Sequence, residues 1–250
     1  MLITGAALRL GAVMARRFAA EGWHVVIHYR RSAEAAHRLA AELDRIAVAE
    51  AIAADLAEPG AAWSLAGQLA PRLRDWRALI NCASSFELDG HEQVDPVVFA
   101  GSMRTNAAAP AQLAQAYLAQ ARAGNGRHVI NVLDQKLANM NPDFFSYTMS
   151  KAALAAATEM LAMAHDRGAD RIYGLAPGAM LPSFDQVSEE HQISGRLNLL
   201  GRLTRPEELA DAALFLASGR LATGQTIFVD SGQHLMRQRR DVLFLARDRG

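Results

Sequence analysis

Short apolar segments alternate with segments of helical period along nearly the whole chain. Apolar runs of about four to eight residues have the length of buried strands, and the longer segments between them repeat their apolar residues as helices do. Strands interleaved with helices predict an α/β fold, a Rossmann-like doubly wound parallel sheet with helices on both faces. We predict one domain over residues 1–250, with about seven strands: Met1–Thr4, His24–His28, Ala47–Ala53, Arg77–Asn81, Gly126–Leu133, Arg171–Ala176 and Thr226–Asp230.

The predicted helices follow the strands in turn. The first ends at Ala20 and is closed by Gly22, and Ser32 is predicted to cap the second. Pro110 should bend the long fourth helix, since proline disturbs the preceding turn. Thr204 is predicted to cap the last helix. The helices after the first are predicted at Ser32–Arg45, Pro59–Leu73, Pro96–Gln120, from about Tyr147 to His165, and Arg205–Ala217.

Composition adds exclusions to this picture. Lys+Arg and Asp+Glu both count 26, so the net charge does not indicate a nucleic acid or an anionic membrane as partner. The single cysteine, Cys82, excludes an intrachain disulfide and a cysteine metal cluster, and fits a reducing compartment. The sequence lacks a signal segment and a bilayer-length apolar run, which predicts a cytoplasmic protein. We interpret Arg237–Arg249, which is basic but mixed, as a terminal strand or tail.

A glycine turn follows the first strand. Gly5 and Gly11 would let the backbone approach a pyrophosphate, which the first turn of the helix would hold with its N–H groups. About 20 residues beyond such a turn, a dinucleotide fold reads the adenosine ribose. Arg30, Arg31 and Ser32 stand there in place of an acidic residue, and suit a 2′-phosphate. The predicted cofactor is therefore NADP(H); the alternative is an ordinary basic loop.

In parallel sheets, ligands bind beyond the carboxyl ends of the strands. Residues that follow different strand ends should therefore converge on one crevice. These residues are Gly5, Arg30, Asp55, Ser84, Asp134 and Pro177.

Tyr147 and Lys151 stand four residues apart at the start of an Ala-rich helical run, so a helix places both on one face. A nearby ammonium favours the phenolate and lowers a tyrosine pKa from about 10. The pair could therefore transfer protons. The alternative is a half-buried tyrosine beside a solvated lysine. Only two of the 26 basic residues are lysines, at positions 136 and 151, which favours a chemical role for Lys151.

Taken together, these residues resemble the short-chain dehydrogenase/reductase family over nearly the whole chain. The resemblance extends from Thr4-Gly5-x-x-x-Arg9-x-Gly11 to Gly224-Gln225-x-x-x-Val229-Asp230-x-Gly232. Within the family, the chain looks most like the pteridine reductases, the branch that includes dihydromonapterin reductase. The narrower match rests on Arg9, the run His28-Tyr29-Arg30-Arg31-Ser32, the run Ala83-Ser84-Ser85-Phe86, and Asp134 in place of the usual serine.

The resemblance implies roles for individual residues. Tyr147 would be the proton donor, Lys151 would hold the nicotinamide ribose and lower the tyrosine pKa, and Asp134 would join Tyr147 in relaying a proton. Asn106 would position a water in the proton path. The alternatives are a turn or capping aspartate at Asp134 and a satisfied structural amide at Asn106. Cys82 departs from the family, which usually has asparagine there, and we expect it to behave as a small hydrophobe.

The resemblance also implies two sets of contacts. Phe86 would stack on the pterin opposite the nicotinamide, with plain core packing as the alternative. The substrate set is Arg9, Ser84, Phe86, Asp134 and Tyr147, to which the predicted lid described below adds Met180 and Leu181. The cofactor set is Gly5, Arg9, Leu10, Gly11, Tyr29, Arg30, Arg31, Ser32, Asp55, Leu56, Asn81, Ala83, Ser84, Tyr147, Lys151, Pro177 and Gly178.

Asp134 distinguishes between possible substrates. A carbonyl substrate develops an oxyanion, to which a hydroxyl can donate and which a carboxylate repels. Reduction of a pterin C=N bond instead needs hydride at carbon and a proton at nitrogen, which a carboxyl can help to deliver. The sequence therefore predicts an NADPH-dependent reductase of dihydropterins, of the dihydromonapterin or dihydrobiopterin kind, with dihydrofolate as a further candidate substrate. The alternatives are a carbonyl reductase of 3-oxoacyl thioesters or quinones, and a non-catalytic NADP(H)-binding regulator.

The sequence also predicts a substrate lid and an oligomeric assembly. Ala179–Leu200 follows the sixth strand and, with Met180, Leu181, Phe184 and Ile193 among polar residues, is the predicted substrate lid. The family resemblance alone implies a homotetramer. The predicted partner is a small pterin-like molecule.

Overall fold

A parallel sheet of seven strands lies at the centre of the fold in the computed structural model, which describes residues 1–166, 168–183 and 185–248. The strands are β1 (Leu2–Ile3), β2 (Val25–Tyr29), β3 (Ala49–Ala53), β4 (Ala78–Asn81), β5 (His128–Val132), β6 (Arg171–Pro177) and β7 (Thr226–Val229). Their order across the sheet is β3-β2-β1-β4-β5-β6-β7, and every described pairing is parallel. The predicted doubly wound sheet is confirmed.

Helices cover both faces of the sheet. They are α1 (Arg9–Ala20), α2 (Ala33–Leu43), α3 (Ala61–Leu69), α4 (Pro96–Ser102), α5 (Ala109–Gln120), α6 (Phe145–Ala164), α7 (Ser188–Ser194), α8 (Pro206–Ala217) and α9 (Val242–Arg247). One core lies between the sheet and α1, α2 and α8, and the other lies under α3 and α5. Neighbouring strand residues such as Leu2 and Ile3 enter opposite cores, because side chains alternate across a strand.

The predicted long helix Pro96–Gln120 is interrupted. Residues Met103–Ala108 form a π-helical turn between α4 and α5, in which the Ala109 N–H donates to the Arg104 carbonyl. Pro110 lies just after this turn, and a proline cannot donate to the carbonyl four residues earlier. The sequence thus predicts that the helix is disturbed, but the disturbance is a wider turn that lies before Pro110.

The starts of α8 and α3 differ from the prediction. The predicted cap at Thr204 is wrong, because its hydroxyl shares a hydrogen bond of 2.7 Å with the Ser231 hydroxyl and α8 begins after Arg205. The Arg205 N–H donates to Glu208 at 3.0 Å. Helix α3 begins at Ala61, two residues after the predicted start, because Gly60 has a left-handed backbone with φ 79°.

The end of the chain also differs from the prediction. The interpretation of Arg237–Arg249 as a strand or tail is wrong for its described part, which contains α9. Asp241 caps this helix by accepting from the Leu243 N–H at 3.1 Å. Arg247 then pairs with Asp185 at 3.0 Å and with Glu190 at 3.1 Å, which joins α9 to α7 in the predicted lid.

Among the described residues, we find no helix that combines the length and the apolarity needed to cross a bilayer.

Candidate active site

A cleft of ≈ 690 Å³ opens where the strand order reverses between β1 and β4. Ligands bind at this switch point in doubly wound sheets, and the volume is in the range of small-molecule sites. The structure brings most of the predicted site residues to this cleft. They are Gly5, Arg9, Leu10, Gly11, Tyr29, Arg30, Arg31, Ser32, Asp55, Leu56, Asn81, Ala83, Ser84, Phe86, Tyr147, Lys151 and Pro177.

Other predicted residues lie behind the described lining of the cleft. Asp134 and Asn106 are connected to it through hydrogen bonds of Tyr147 and Ser84. Met180 is buried in the core and Leu181 packs against that core. Gly178 packs against Asp230, and Phe184 lies outside the described residues. Ser183, which the sequence did not single out, lines the cleft.

The glycine turn brings the chain close to the neighbouring strand. Gly5 has φ 63°, and a Cβ on it would lie 2.8 Å from the Ala83 Cα. A Cβ on Gly11 would lie 2.5 Å from the Gly5 carbonyl oxygen. The Thr4 hydroxyl accepts from the Ala83 N–H at 3.0 Å, which fixes the loop after β4 beside the turn. Helix α1 then begins at Arg9, its N-cap residue Leu8 makes no side-chain cap hydrogen bond, and the residues of its first turn line the cleft.

His28 holds the glycine turn against β2, a role that the sequence did not reveal. The Gly5 N–H donates to His28 Nδ1 at 3.2 Å, and Nε2 then donates to the Ala54 carbonyl at 3.0 Å. Burial lowers the pKa of His28 to about 4. The imidazole is therefore neutral at physiological pH, and its two contacts define its tautomer.

Three donors lie together at one end of the cleft. Arg30 and Arg31 are exposed at the mouth, and Ser32 is the N-cap residue of α2. The Arg30 guanidinium lies 4.0 Å from Asp55, while the Tyr29 hydroxyl shares a hydrogen bond of 3.3 Å with His37. Two guanidiniums and a hydroxyl in one place form a donor set that fits a phosphate group.

At the opposite end, Tyr147 forms a hydrogen bond with Asp134. The phenol donates to Oδ2 of Asp134 at 2.8 Å, and the other carboxylate oxygen accepts from the Lys136 N–H at 2.8 Å. Asp134 thus both caps the 3₁₀ turn Gln135–Ala138 and contacts Tyr147. The capping alternative and the catalytic prediction are compatible, because each uses a different oxygen.

The pKa of Tyr147 is opposite in direction to the prediction. Burial raises the pKa of Tyr147 well above its usual value, and the Asp134 carboxylate raises it further. Burial also raises the pKa of Asp134, although hydrogen bonds from the Lys136 N–H and Tyr147 oppose this change. The phenol is therefore protonated at neutral pH and can act as an acid.

Lys151 does not contact the phenol oxygen in the way the sequence suggested. Its ammonium donates to the Val132 carbonyl at 2.8 Å and lies 5.7 Å from the centre of the Tyr147 ring. Burial lowers the pKa of Lys151, while Asp134 opposes that change.

Cys82 carries its proton at neutral pH. Burial raises the pKa of its thiol to about 11, as expected for a small hydrophobe.

Asn106 lies in the π-helical turn and is completely buried. Its oxygen accepts from the Ser84 hydroxyl at 3.0 Å and from the Ser85 N–H at 2.8 Å. Its nitrogen donates to the Ser85 carbonyl at 2.9 Å and to the Ser150 hydroxyl at 3.0 Å. These contacts fill the capacity of the amide, which favours the structural alternative for Asn106 over a water-positioning role.

Phe86 is part of a group of aromatic rings beside Tyr147. Phe144 stacks on it with 4.2 Å between ring centres and 25° between planes, and Phe244 of α9 stacks on Phe144 at 5.9 Å. Tyr147 meets Phe86 edge-on at 4.7 Å and 90°. Phe86 also lines the cleft, so it combines the predicted ligand-facing position with the core contacts of the alternative.

Comparisons with known proteins agree with this architecture. The family model described as enoyl-(acyl carrier protein) reductase matches residues 5–234. Pteridine reductase 1 from Leishmania tarentolae is 30% identical, with 94% of this chain and 96% of that protein covered. 3beta-Hydroxysteroid dehydrogenase 1 from Eggerthella lenta is also 30% identical, with 94% and 93% covered.

Among solved structures, the FolM alternative dihydrofolate reductase 1 from Brucella canis, complexed with NADP, has a TM-score of 0.87 and 32% identity. The alignment covers 95% of this chain and 94% of that one. The sheet is doubly wound, as the sequence predicts, and most of the predicted site residues line the cleft. The chain therefore belongs to the short-chain dehydrogenase/reductase family, and among its relatives it is similar to pteridine reductases.

Proposed function

We propose that this chain is an NADP(H)-dependent reductase of dihydropterins. The observation that carries the proposal is the 2.8 Å hydrogen bond from the Tyr147 phenol to the Asp134 carboxylate. A carboxylate beside the proton donor suits a substrate that takes its proton on nitrogen, and repels the oxyanion of a carbonyl substrate. The names of the relatives support the same choice, since pteridine reductase 1 and a dihydrofolate reductase are among them.

The arrangement divides the cleft between two ligands. NADPH, when bound, supplies the hydride. Arg30, Arg31 and Ser32 would hold its 2′-phosphate, and the first turn of α1 would hold its pyrophosphate. Lys151 donates one of its three N–H groups to the Val132 carbonyl, which leaves two for the hydroxyls of the nicotinamide ribose.

At the other end, the protein's own groups handle the proton. Tyr147 is a neutral phenol at neutral pH, since its pKa is raised and not lowered, so it has a proton to donate to a ring nitrogen as hydride reaches the adjacent carbon. The pKa of Asp134 is also raised, which helps this carboxyl to take up a proton and return it to the phenolate. Phe86 has one face on Phe144 and lines the cleft, which suits stacking on a planar pterin.

The test is a substrate panel assayed by NADPH oxidation. Purified protein is given dihydrobiopterin, dihydromonapterin, dihydrofolate, a 3-oxoacyl thioester and a quinone, with protein-free reactions as controls for spontaneous oxidation. We expect at least one dihydropterin to have the highest kcat/KM. Turnover of the thioester or quinone, with all dihydropterins inert, would instead identify a carbonyl reductase, an activity closer to that of the hydroxysteroid dehydrogenase relative. NADPH binding without any turnover would support the alternative of a non-catalytic NADP(H)-binding regulator.

A further inference from the structure

We propose that Asp89 is a positioning residue of this site, which fixes the loop carrying Ser84 and Phe86 to the first turn of α6. Asp89 lies in the segment between β4 and α4, outside the described lining of the cleft. The inference rests on the role given to Tyr147 in the proposed function. It does not depend on which compound is the substrate.

Asp89 is 8% exposed, and its carboxylate is directed at the start of α6. Oδ1 accepts from the Ser146 N–H at 2.9 Å, and Oδ2 accepts from the Ser146 hydroxyl. The Asp89 carbonyl also accepts from the Phe145 N–H at 3.4 Å. Asp89 therefore caps a helix that begins 56 positions later in the chain (145 − 89).

Helix α6 needs a cap from elsewhere. Its N-cap residue is Phe144, whose side chain has no hydrogen-bonding group and whose backbone is left-handed, with φ 51° and ψ 55°. The first N–H groups of a helix lack partners within the helix, and its N-terminus carries partial positive charge. A buried carboxylate from the β4 loop answers both requirements at the turn that carries Tyr147.

A second attachment holds the same loop four residues further along α6. The Asn106 amide binds Ser84 and Ser85 on one side and the Ser150 hydroxyl on the other. Ser150 in turn donates to the Tyr147 carbonyl at 2.6 Å. The two attachments are at Ser146 and Ser150, so they lie on either side of Tyr147. Together they set the position of the Phe86 ring relative to the phenol.

Asp89 acts on Tyr147 through position and not through charge. The carboxylates that raise the pKa of Tyr147 are those of Asp134 and Asp241. Loss of Asp89 should therefore move the loop and the helix apart, without moving the pH at which Tyr147 titrates. This combination separates a positioning residue from an electrostatic one.

The test compares Asp89→Ala with Asp89→Asn and with Asp95→Ala. Asparagine keeps an acceptor for the Ser146 N–H, whereas Asp95 is a matched control because it caps α4 by accepting from the Val97 N–H at 2.8 Å. In Asp89→Ala, we expect kcat with the best substrate of the wild type to fall by about 10- to 100-fold. The limbs of the pH profile should stay unchanged, and the Kd for NADPH should rise by less than kcat falls, because Arg30, Arg31 and Ser32 belong to other elements. Asp89→Asn should recover most of kcat.

Hydrogen exchange provides a readout that does not need turnover. In Asp89→Ala, amides of residues 83–90 and 145–151 should exchange faster together, and in Asp95→Ala they should exchange as in the wild type. Should Asp89→Ala not fold, Ser146→Ala removes the hydroxyl partner alone and should give the same pattern at smaller size.

Two results would overturn the inference: wild-type kcat and exchange in Asp89→Ala (or in Ser146→Ala, where that variant replaces it), or equal losses in Asp95→Ala. An inert dihydropterin panel would refute the proposed substrate only, since the Asp89 variants can be assayed on any compound that is turned over. If nothing is turned over, the exchange data still decide.

Discussion

The two ends of the cleft are built in different ways. At the end near α1 and β2, the site consists of a turn and a run of residues close together in sequence, Gly5 to Gly11 and Tyr29 to Ser32. At the other end, Tyr147 is hydrogen-bonded to Asp134, and Phe86 stacks on Phe144, which in turn stacks on Phe244. The first end is specified by local sequence, whereas the second exists only after distant segments have packed. Substitutions at the two ends should therefore have separable effects.

Tyr147→Phe should have the largest effect and should leave the α1 end intact. Phenylalanine keeps the ring beside Phe86 but loses the hydroxyl that donates to Asp134. We expect kcat for reduction to fall by about 10³-fold, since general acid catalysis is lost, while the Kd for NADPH from a fluorescence titration stays the same. Tyr173→Phe, which loses a buried hydroxyl bonded to the Leu221 carbonyl, is the control for folding. Unchanged turnover in Tyr147→Phe would remove this residue from the mechanism.

Asp134→Asn should have the next largest effect. The Asp134 carboxylate raises the pKa of Tyr147, so replacing it with a neutral amide lowers that pKa. The basic limb of the pH profile of kcat, where Tyr147 loses its proton, should move to lower pH. We also expect kcat at neutral pH to fall by about 10²-fold as the proton relay is lost.

Asp241→Asn tests whether Asp134 acts on Tyr147 through its charge alone or also by relaying a proton. Asp241 also raises the pKa of Tyr147, but less than Asp134 does. A smaller shift of the same limb, with kcat at neutral pH preserved, is the expected outcome for Asp241→Asn. If Asp134→Asn does no more than this, Asp134 acts only through its charge.

The paired Arg30→Ala and Arg31→Ala substitution should have a smaller effect than Tyr147→Phe or Asp134→Asn, and should act at the α1 end alone. Losing charge-assisted bonds to the 2′-phosphate should raise the KM for NADPH by about tenfold or more, while the KM for NADH is unchanged. Arg38→Ala is the matched control, because Arg38 lies on α2 and pairs with Glu34 on its own helix. If the preference for NADPH over NADH is the same before and after the substitution, the 2′-phosphate is bound by other residues.

Much of the fold and of the α1 end could be predicted because their signals are local. Apolar runs mark the strands, and the spacing from Gly5 to Arg30 follows from a unit of strand, turn, helix and strand. Helix α9 could not be predicted in this way. It has six residues, too few for a clear period, and it is supported by tertiary contacts of Phe244 and Arg247.

The Tyr147 end could be predicted only as a set of residues. The spacing of Tyr147 and Lys151 gave their shared helix, but the direction of the Tyr147 pKa follows from burial and from Asp134. Asp89 carried no sequence signal, because a cap is normally sought directly before its helix and this one comes from the β4 loop. Residues that act across the chain are visible only once the chain is folded.

The π-helical turn Met103–Ala108 has a consequence for insertions and deletions. A π turn holds one more residue than an α turn, so removing one residue from it is the simplest route back to a continuous α-helix. Because the π turn already absorbs its extra residue, that deletion would leave the two flanking helices nearly in register and would redirect the side chains inside the turn. Asn106 would then turn away from Ser85 and Ser150, and the loop would lose one of its two attachments. The length of this helix, and not only its composition, is thus part of the site.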